Sequence, residues 1–344
     1  MLPLLLSTLL SGCASTMANG QDPSPSPDRD SSSLSLEDYR ELCRIPAEEE
    51  LVEEIRQALE ETSCSAVLWV DGLFGDRTEV AEARRTSGVV EGSALYSEFD
   101  GIDPGGRLRL HYDLPNLERR ANVFLGRGNE REAVEDREEQ FSLRSSLPPA
   151  ESPERWITGL ALTPPGRWEG NVHLRVGVRP STSPTAFVQG RLRQRISTGD
   201  WAEWRFRQTV FWESDEGAGV TVSGRYQRLL DPILLLHANA TGTLSEASEG
   251  LRWRMEPSVY RRFSGGRVAG LRTFLRGETS ADVPLREYGI RSVYRRPLLS
   301  PSLIVELVAG YSWPRQEIAR PRERSVNLGV QLELSFGTRP YTRE

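Results

Sequence analysis

Three arginines stand at alternate positions in Gly190-Arg191-Leu192-Arg193-Gln194-Arg195, and Arg205 and Arg207 repeat the spacing one segment later. Side chains alternate between the two faces of an extended strand, so residues i, i+2 and i+4 line one face. A row of guanidinium groups made this way offers planar donor forks that match carboxylate and phosphate. Arg175, Arg252, Arg254, Arg272 and Arg276 occupy segments of the same kind. These ten residues are the candidates for binding an anionic small solute. The same polar faces also carry Glu213, Glu256, Glu306 and Glu333. An Arg/Glu ladder that merely fills an interior therefore stands beside an anion-preferring passage as a second account of the same residues.

Little else in the chain points to chemistry. There is no Gly-x-Ser-x-Gly, His-Glu-x-x-His, phosphate loop or Cys-x-x-Cys, so the sequence names no catalytic residue, no metal site and no cofactor. The histidines are His111, His173 and His237, and the last two alternate with apolar neighbours like other polar-face residues. A base without an evident nucleophile does not make a catalytic site. An enzyme acting on lipid or lipopolysaccharide is thus the alternative to a channel or structural protein. A soluble periplasmic β-rich lipoprotein is a third reading.

The elements that must position the arginines follow from the apolar pattern. Val326, Leu328, Val330, Leu332, Leu334 and Phe336 alternate with Asn327, Gly329, Gln331, Glu333, Ser335 and Gly337 without an exception. Segments of this period-2 texture recur near 86–99, 105–114, 119–127, 155–163, 168–179, 185–197, 201–213, 217–229, 232–245, 250–263, 267–279, 285–296, 302–313 and 323–337. Fourteen is the count, with twelve as the fallback if the two weakest segments fail. Strands of a soluble sandwich average five or six residues, whereas these are about twice that, the length a tilted strand needs to cross a bilayer. The expected fold is all-β, a closed antiparallel transmembrane β-barrel over 86–338. An even count puts both barrel ends on one side with six short turns, and the long charged stretch 128–154 faces the other side. Tryptophans and tyrosines near segment ends, such as Trp156, Trp201, Trp212, Tyr294 and Trp313, suit interfacial girdles.

The composition fits this plan. Of 344 residues, 43 are basic, all of them arginine, and 49 are acidic, giving −6 at a mean hydropathy of −0.46. That excludes a bundle of apolar helices, each of which needs about 20 consecutive apolar residues. It does not exclude strands that are apolar only at alternate positions. Residues 1–154 carry 15 arginines against 31 acids, and residues 155–344 carry 28 against 18, so −16 precedes +10. Nothing in this distribution points to nucleic acid.

The N-terminal region is a different object. Residues 1–12 form an apolar run ending in small residues, as a secretory signal does, although no charge precedes the core. Leu10-Ser11-Gly12-Cys13 resembles the bacterial lipobox, which implies lipidation at Cys13 and, with Ala14 following, delivery to the outer membrane. Residues 13–36, rich in Ser, Pro and Asp, read as a flexible tether. Residues 37–85 form a periplasmic or plugging segment with one amphipathic helix after Pro46, whose Leu51, Ile55 and Leu59 share a face. Cys43 and Cys64 flank that helix as a candidate disulfide in an oxidising compartment, with two free thiols as the alternative. Residues 339–344 are a tail.

Two resemblances complete the picture. The final segment, with Asn327, Gly329, Leu332, Leu334 and Phe336, resembles the insertion signal that the barrel-assembly machinery recognises. The chain as a whole resembles uncharacterised Gram-negative outer-membrane β-barrel (lipo)proteins that carry a Cys-x4-Trp-Φ-Asp-Gly-Φ-Phe-Gly-Asp element, here Cys64, Trp69, Asp71, Gly72, Phe74, Gly75 and Asp76. Leu114-Pro115-Asn116 and Trp313-Pro314-Arg315 belong to the same resemblance. It implies a barrel without an assigned activity, a location in the bacterial outer membrane with the N-terminal segment periplasmic, and outer-membrane lipids, lipopolysaccharide and the assembly machinery as partners.

Overall fold

The structure is a computed structural model that describes residues 52–53, 55–61, 64, 87–113, 121–129, 134–135, 154–164, 171–180, 183–199 and 201–337. Fourteen strands follow one another: β1 (Ser87–Ser97), β2 (Gly101–Asp113), β3 (Ala121–Asn129), β4 (Glu154–Leu162), β5 (Val172–Arg179), β6 (Thr185–Ser197), β7 (Ala202–Glu213), β8 (Gly217–Asp231), β9 (Leu234–Ser245), β10 (Arg252–Arg262), β11 (Val268–Glu278), β12 (Leu285–Leu298), β13 (Ser300–Pro314) and β14 (Ser325–Gly337). Each pairs antiparallel with its chain neighbours, and β1 pairs with β14 from Ser87↔Gly337 to Ser97↔Asn327, which closes the barrel. The expected fold class and strand number hold, and β14, which carries the candidate insertion signal, is the closing strand.

Strand parity divides the wall into two surfaces. Leu174, Val176, Val188, Val210, Val222, Met255, Leu271, Leu307, Leu328, Val330 and Leu332 are exposed on the outside. Arg179, Gln189, Arg191, Thr209, His237, Glu256, Arg272, Arg291 and Glu306 alternate with them and are buried inside. An aqueous protein would not present so large a continuous apolar exterior. Among the described residues no helix is long and apolar enough to cross a membrane.

Boundaries agree with the sequence reading to within four residues, and the largest shift has a local cause. Gly101-Ile-Asp-Pro104-Gly-Gly106 looks like a turn, yet it pairs with β1 through Ala94↔Pro104. Among the described residues β2 meets β3 only from Leu108 to Asp113, so Pro104 needs no donor toward that side. Pro257 inside β10 behaves similarly. Its stretch of the β10–β11 ladder is interrupted, and Thr273 Oγ1 donates to the Pro257 carbonyl at 3.4 Å.

Inward rings lie over glycines of neighbouring strands. A Cβ at Gly177 would stand 2.6 Å from the Phe187 ring, and one at Gly289 would stand 2.6 Å from the Phe274 ring. Only glycine leaves room for a large side chain to turn flat against the wall. At Phe336 an outward-parity ring is instead 3% exposed, over Gly88 at the seam of β14 and β1.

Residues 52–53 and 55–61 are helical, and the Gly337 amide donates to Glu60 Oε1 at 2.8 Å. The helix thus meets the barrel at the end where β1 begins and β14 stops. Cys64 is buried and disulfide-bonded. Cys13, Cys43, the signal and tether segments, Trp69 to Asp76, Leu114 to Asn116 and the tail lie outside the described residues.

Candidate functional site

The ten candidate arginines all lie on inward-parity positions, but the fold sorts them into two groups. Arg175 is on β5, Arg191, Arg193 and Arg195 on β6, and Arg205 and Arg207 on β7. Register places Arg193 opposite Arg207, Arg195 opposite Arg205, and Arg205 opposite Arg225 of β8. Neighbouring strands are about 4.8 Å apart and alternate residues about 6.7 Å apart, so the guanidinium groups form a lattice on a single wall. From Arg175 to Arg225 the inward positions hold eight arginines, counting Arg179, and two acids, Glu203 and Glu213, at opposite ends of β7.

The local contacts of this wall orient the arginines. Arg175 lies over the Phe124 ring at 5.3 Å. Arg191 Nη2 donates to Gln189 Oε1 at 3.4 Å. At the terminus end Glu203 pairs with both Arg205 and Arg195, the latter at 3.5 Å. At the other end Arg179 pairs with Glu213 and with Asp215 at 3.0 Å. Arg195 is largely exposed, Arg193, Arg205 and Arg207 are half-buried, and Arg191 and Arg225 are buried. The row therefore runs from the terminus-side mouth to mid-barrel.

Arg252, Arg254, Arg272 and Arg276 belong to the facing wall, where acids interleave. Arg254 pairs with Glu256, and Arg276 pairs with Glu287 at 2.7 Å. Arg295 meets Glu333 at 3.2 Å and Glu306 at 3.7 Å, and Arg107 meets Glu91 at 3.5 Å. Arg272 Nη2 donates to Tyr260 Oη at 3.4 Å, and Arg291 lies over the Phe274 ring at 4.1 Å. Arg107, Arg291, Arg295, Glu91 and Glu287 escaped the sequence reading. The outward parity of Ile290 and Tyr294 was the signal that would have placed Arg291 and Arg295 inside.

The long β3–β4 connection also departs from expectation. It leaves the barrel at the end opposite the termini, as the strand count requires, but Val134 and Glu135 are wholly buried inside. Gln189 Nε2 donates to the Val134 carbonyl at 2.6 Å, and Arg252 Nη2 pairs with Glu135 at 3.1 Å. Val134 joins Phe124, Ile157, Ala161, Phe187 and Phe211 in one apolar cluster. A Val among acids in a charged stretch was the only trace of this in the sequence.

His173 and His237 take ordinary places, and the His111 side chain lies outside the described ones. His173 Nδ1 is 3.3 Å from Thr163 Oγ1. His237 is fully buried inside, its ring 6.3 Å from that of Tyr260, with Ser258 as its register partner. It does not reach the outer wall, where a lipid substrate would have to be met.

No protein-family model matches the chain, and neither does any curated protein. Among solved structures, a bacterial polysaccharide outer membrane secretin is similar at a TM-score of 0.43 and 11% identity, covering 74% of this chain and 99% of that one. The CymD monoaromatic hydrocarbon channel gives 0.41 and 6%, over 74% and 88%. The outer membrane protein OpdK from Pseudomonas aeruginosa gives 0.40 and 10%, over 73% and 98%.

Proposed function

We propose that the chain is a bacterial outer-membrane β-barrel, non-enzymatic, whose basic wall admits or holds anionic solutes. The observation that carries this reading is the registered lattice of Arg191, Arg193, Arg195, Arg205, Arg207 and Arg225, among which the described inward positions from Arg175 to Arg225 hold only two acids, Glu203 and Glu213, at the ends of β7. Closely spaced arginines facing a low-dielectric enclosure concentrate carboxylates and phosphates and repel cations. The apolar exterior and strands of 8 to 15 residues support embedding in a bilayer. The test is the reversal potential of the refolded full chain in a planar bilayer under a salt gradient. An anion-selective current that weakens in Arg193→Gln/Arg207→Gln is the expected result, and no conductance at all overturns the channel.

A second reading, a closed structural barrel, is favoured by Val134 and Glu135 inside the lumen and by the deep burial of Arg272, Arg291 and Glu306. The same recording separates the two.

The remaining elements belong to the proposal. Cys13 carries the lipid, Cys43 pairs with Cys64, the N-terminal segment is periplasmic, and β14 is read by the assembly machinery. Heat-modifiable gel migration and outer-membrane fractionation of a Cys13→Ala variant test whether the barrel or the lipid holds the protein in place.

A further inference from the structure

The two ends of the barrel differ in the chemistry of their turns. At the end where both termini emerge, three outward-facing rows finish alike. On β8 the row Val220, Val222, Tyr226 reaches Arg228, followed by Leu229, Leu230 and Ile233, all exposed. On β10 the row Met255, Val259 reaches Arg261, followed by exposed Phe263. On β12 the row Ile290, Tyr294 reaches Arg296, followed by Leu299, which is 76% exposed. Arg262 and Arg267 are exposed at the same rim. Asp231 is the one acid among the described residues of these turns.

At the opposite end the turns after β7, β9 and β11 are small and acidic, with Asp215, Glu216, Glu246, Glu249 and Asp282. The β13–β14 turn at that end also carries Arg315, Arg320, Arg322 and Arg324 beside exposed Ile318, and Phe99 and Ile102 are exposed near the β1–β2 turn. What sets the terminus-side rim apart is that three successive turns there join arginine to an apolar tip with a single acid among their described residues.

The basic rim is built rather than incidental. The Arg261 guanidinium lies 5.4 Å from the Phe263 ring centre. The β10–β11 turn rests against the end of β12, since a Cβ at Gly266 would be 3.1 Å from Pro297 Cγ. That contact joins the turn carrying Arg267 to the strand end carrying Arg296. Leu299 has φ 64°, a left-handed conformation unfavourable for a non-glycine residue, yet it holds an apolar side chain out at the tip. An apolar row that ends in arginine is the profile of a surface in contact with lipid headgroups, where arginine reaches phosphate, the row below it stays in the acyl layer, and the apolar tip beyond it packs among the headgroups.

We propose that Arg228, Arg261 and Arg296, with Arg267 beside them, bind the phosphate diesters of anionic glycerophospholipids at the terminus-side rim. The acidic helix at 52–61 is the rival occupant. It meets the barrel through Glu60 and Gly337 on β14, and Arg228, Arg261, Arg267 and Arg296 remain exposed in its presence.

The inference rests on the membrane reading, and the experiment separates the two. Refolded full chain is mixed with phosphatidylglycerol or phosphatidylcholine in detergent, and the lipid retained is counted by native mass spectrometry. Loss of heat-modifiable migration together with failure to insert into vesicles would mean that the membrane reading itself has failed. In a folded barrel, preferential retention of phosphatidylglycerol is expected, and each arginine removed should lower it about fivefold. Arg228→Gln/Arg261→Gln/Arg296→Gln should lose the preference with unchanged ion selectivity, and the Arg→Lys triple should keep most of it. The lumenal Arg193→Gln/Arg207→Gln pair should keep it fully. Equal retention by wild type and triple variant overturns the proposal. So does displacement of the lipid by inorganic phosphate or by a peptide of residues 46–61, and so does a preference for lipopolysaccharide over phosphatidylglycerol.

Discussion

The two facing walls of the lumen use the same residue for different ends. On β10 to β14 and β1, six inward arginines (252, 254, 272, 276, 291 and 295) alternate with Glu256, Glu287, Glu306, Glu333 and Glu91, and most contacts are ion pairs or ring stacks. On β5 to β8 the arginines stand beside one another and acids are pushed to the ends of β7. Burial alone does not separate the walls, since Arg179, Arg191 and Arg225 are as buried on the second as Arg272 and Arg291 are on the first, and Arg254 and Arg276 are as exposed as Arg205; the difference lies in where the acids stand. The lesson is that arginine content alone does not mark a site, whereas the placement of the acids does.

The strongest way to break this contrast is at the balanced wall. Glu256, nearly inaccessible, pairs with Arg254 and neighbours Arg272 and Arg291. Glu256→Ala should destabilise the barrel by about 3–5 kcal/mol, because it strands buried positive charge. Arg207→Gln on the basic wall should change stability by less than about 1 kcal/mol, since the group is partly hydrated. Urea unfolding in lipid vesicles measures both, and equal losses would erase the distinction.

Next comes packing behind the pairs. A Cβ at Gly310 would stand 2.2 Å from the Ile290 carbonyl and 2.8 Å from Arg291 Cγ. Gly310→Val should therefore cost about 1–3 kcal/mol and displace Arg291 from the Phe274 ring, seen as a lower unfolding midpoint.

Function sharpens the contrast from the other side. Arg193→Glu/Arg207→Glu should lower the anion-to-cation permeability ratio severalfold in bilayer recordings, whereas Arg276→Gln should leave it nearly unchanged. The smallest effect is expected at the connection inside the lumen. Glu135→Gln removes the acid that pairs with Arg252, and single-channel conductance should rise modestly while selectivity moves further toward anions. A fall in conductance would show that Glu135 does not obstruct the path.

Much of this architecture was legible because a period-2 pattern carries its own geometry. Once Leu328, Val330 and Leu332 are placed outside, Asn327, Gly329 and Gln331 must face inward, and register propagates that choice around the sheet. The same parity put all ten candidate arginines inside. It was silent on which of them meet, because Arg295 pairs with Glu333 two strands away and Arg252 with Glu135 far along the chain. It also misjudged Gly101 to Pro104, where glycine and proline signal a turn but β1 offers a ladder.

By itself, then, the sequence determined the strand number, the two surfaces of the wall and the side on which the ends emerge, since each follows from alternation and from turn length. The tertiary structure alone decided which arginines lie in register with one another and which pair with glutamates of other strands, that Val134 and Glu135 enter the lumen, and that three successive turns at one rim join arginine to an apolar tip. Those outcomes depend on closure, which brings strands distant in sequence across one enclosed space, and no local pattern encodes that distance.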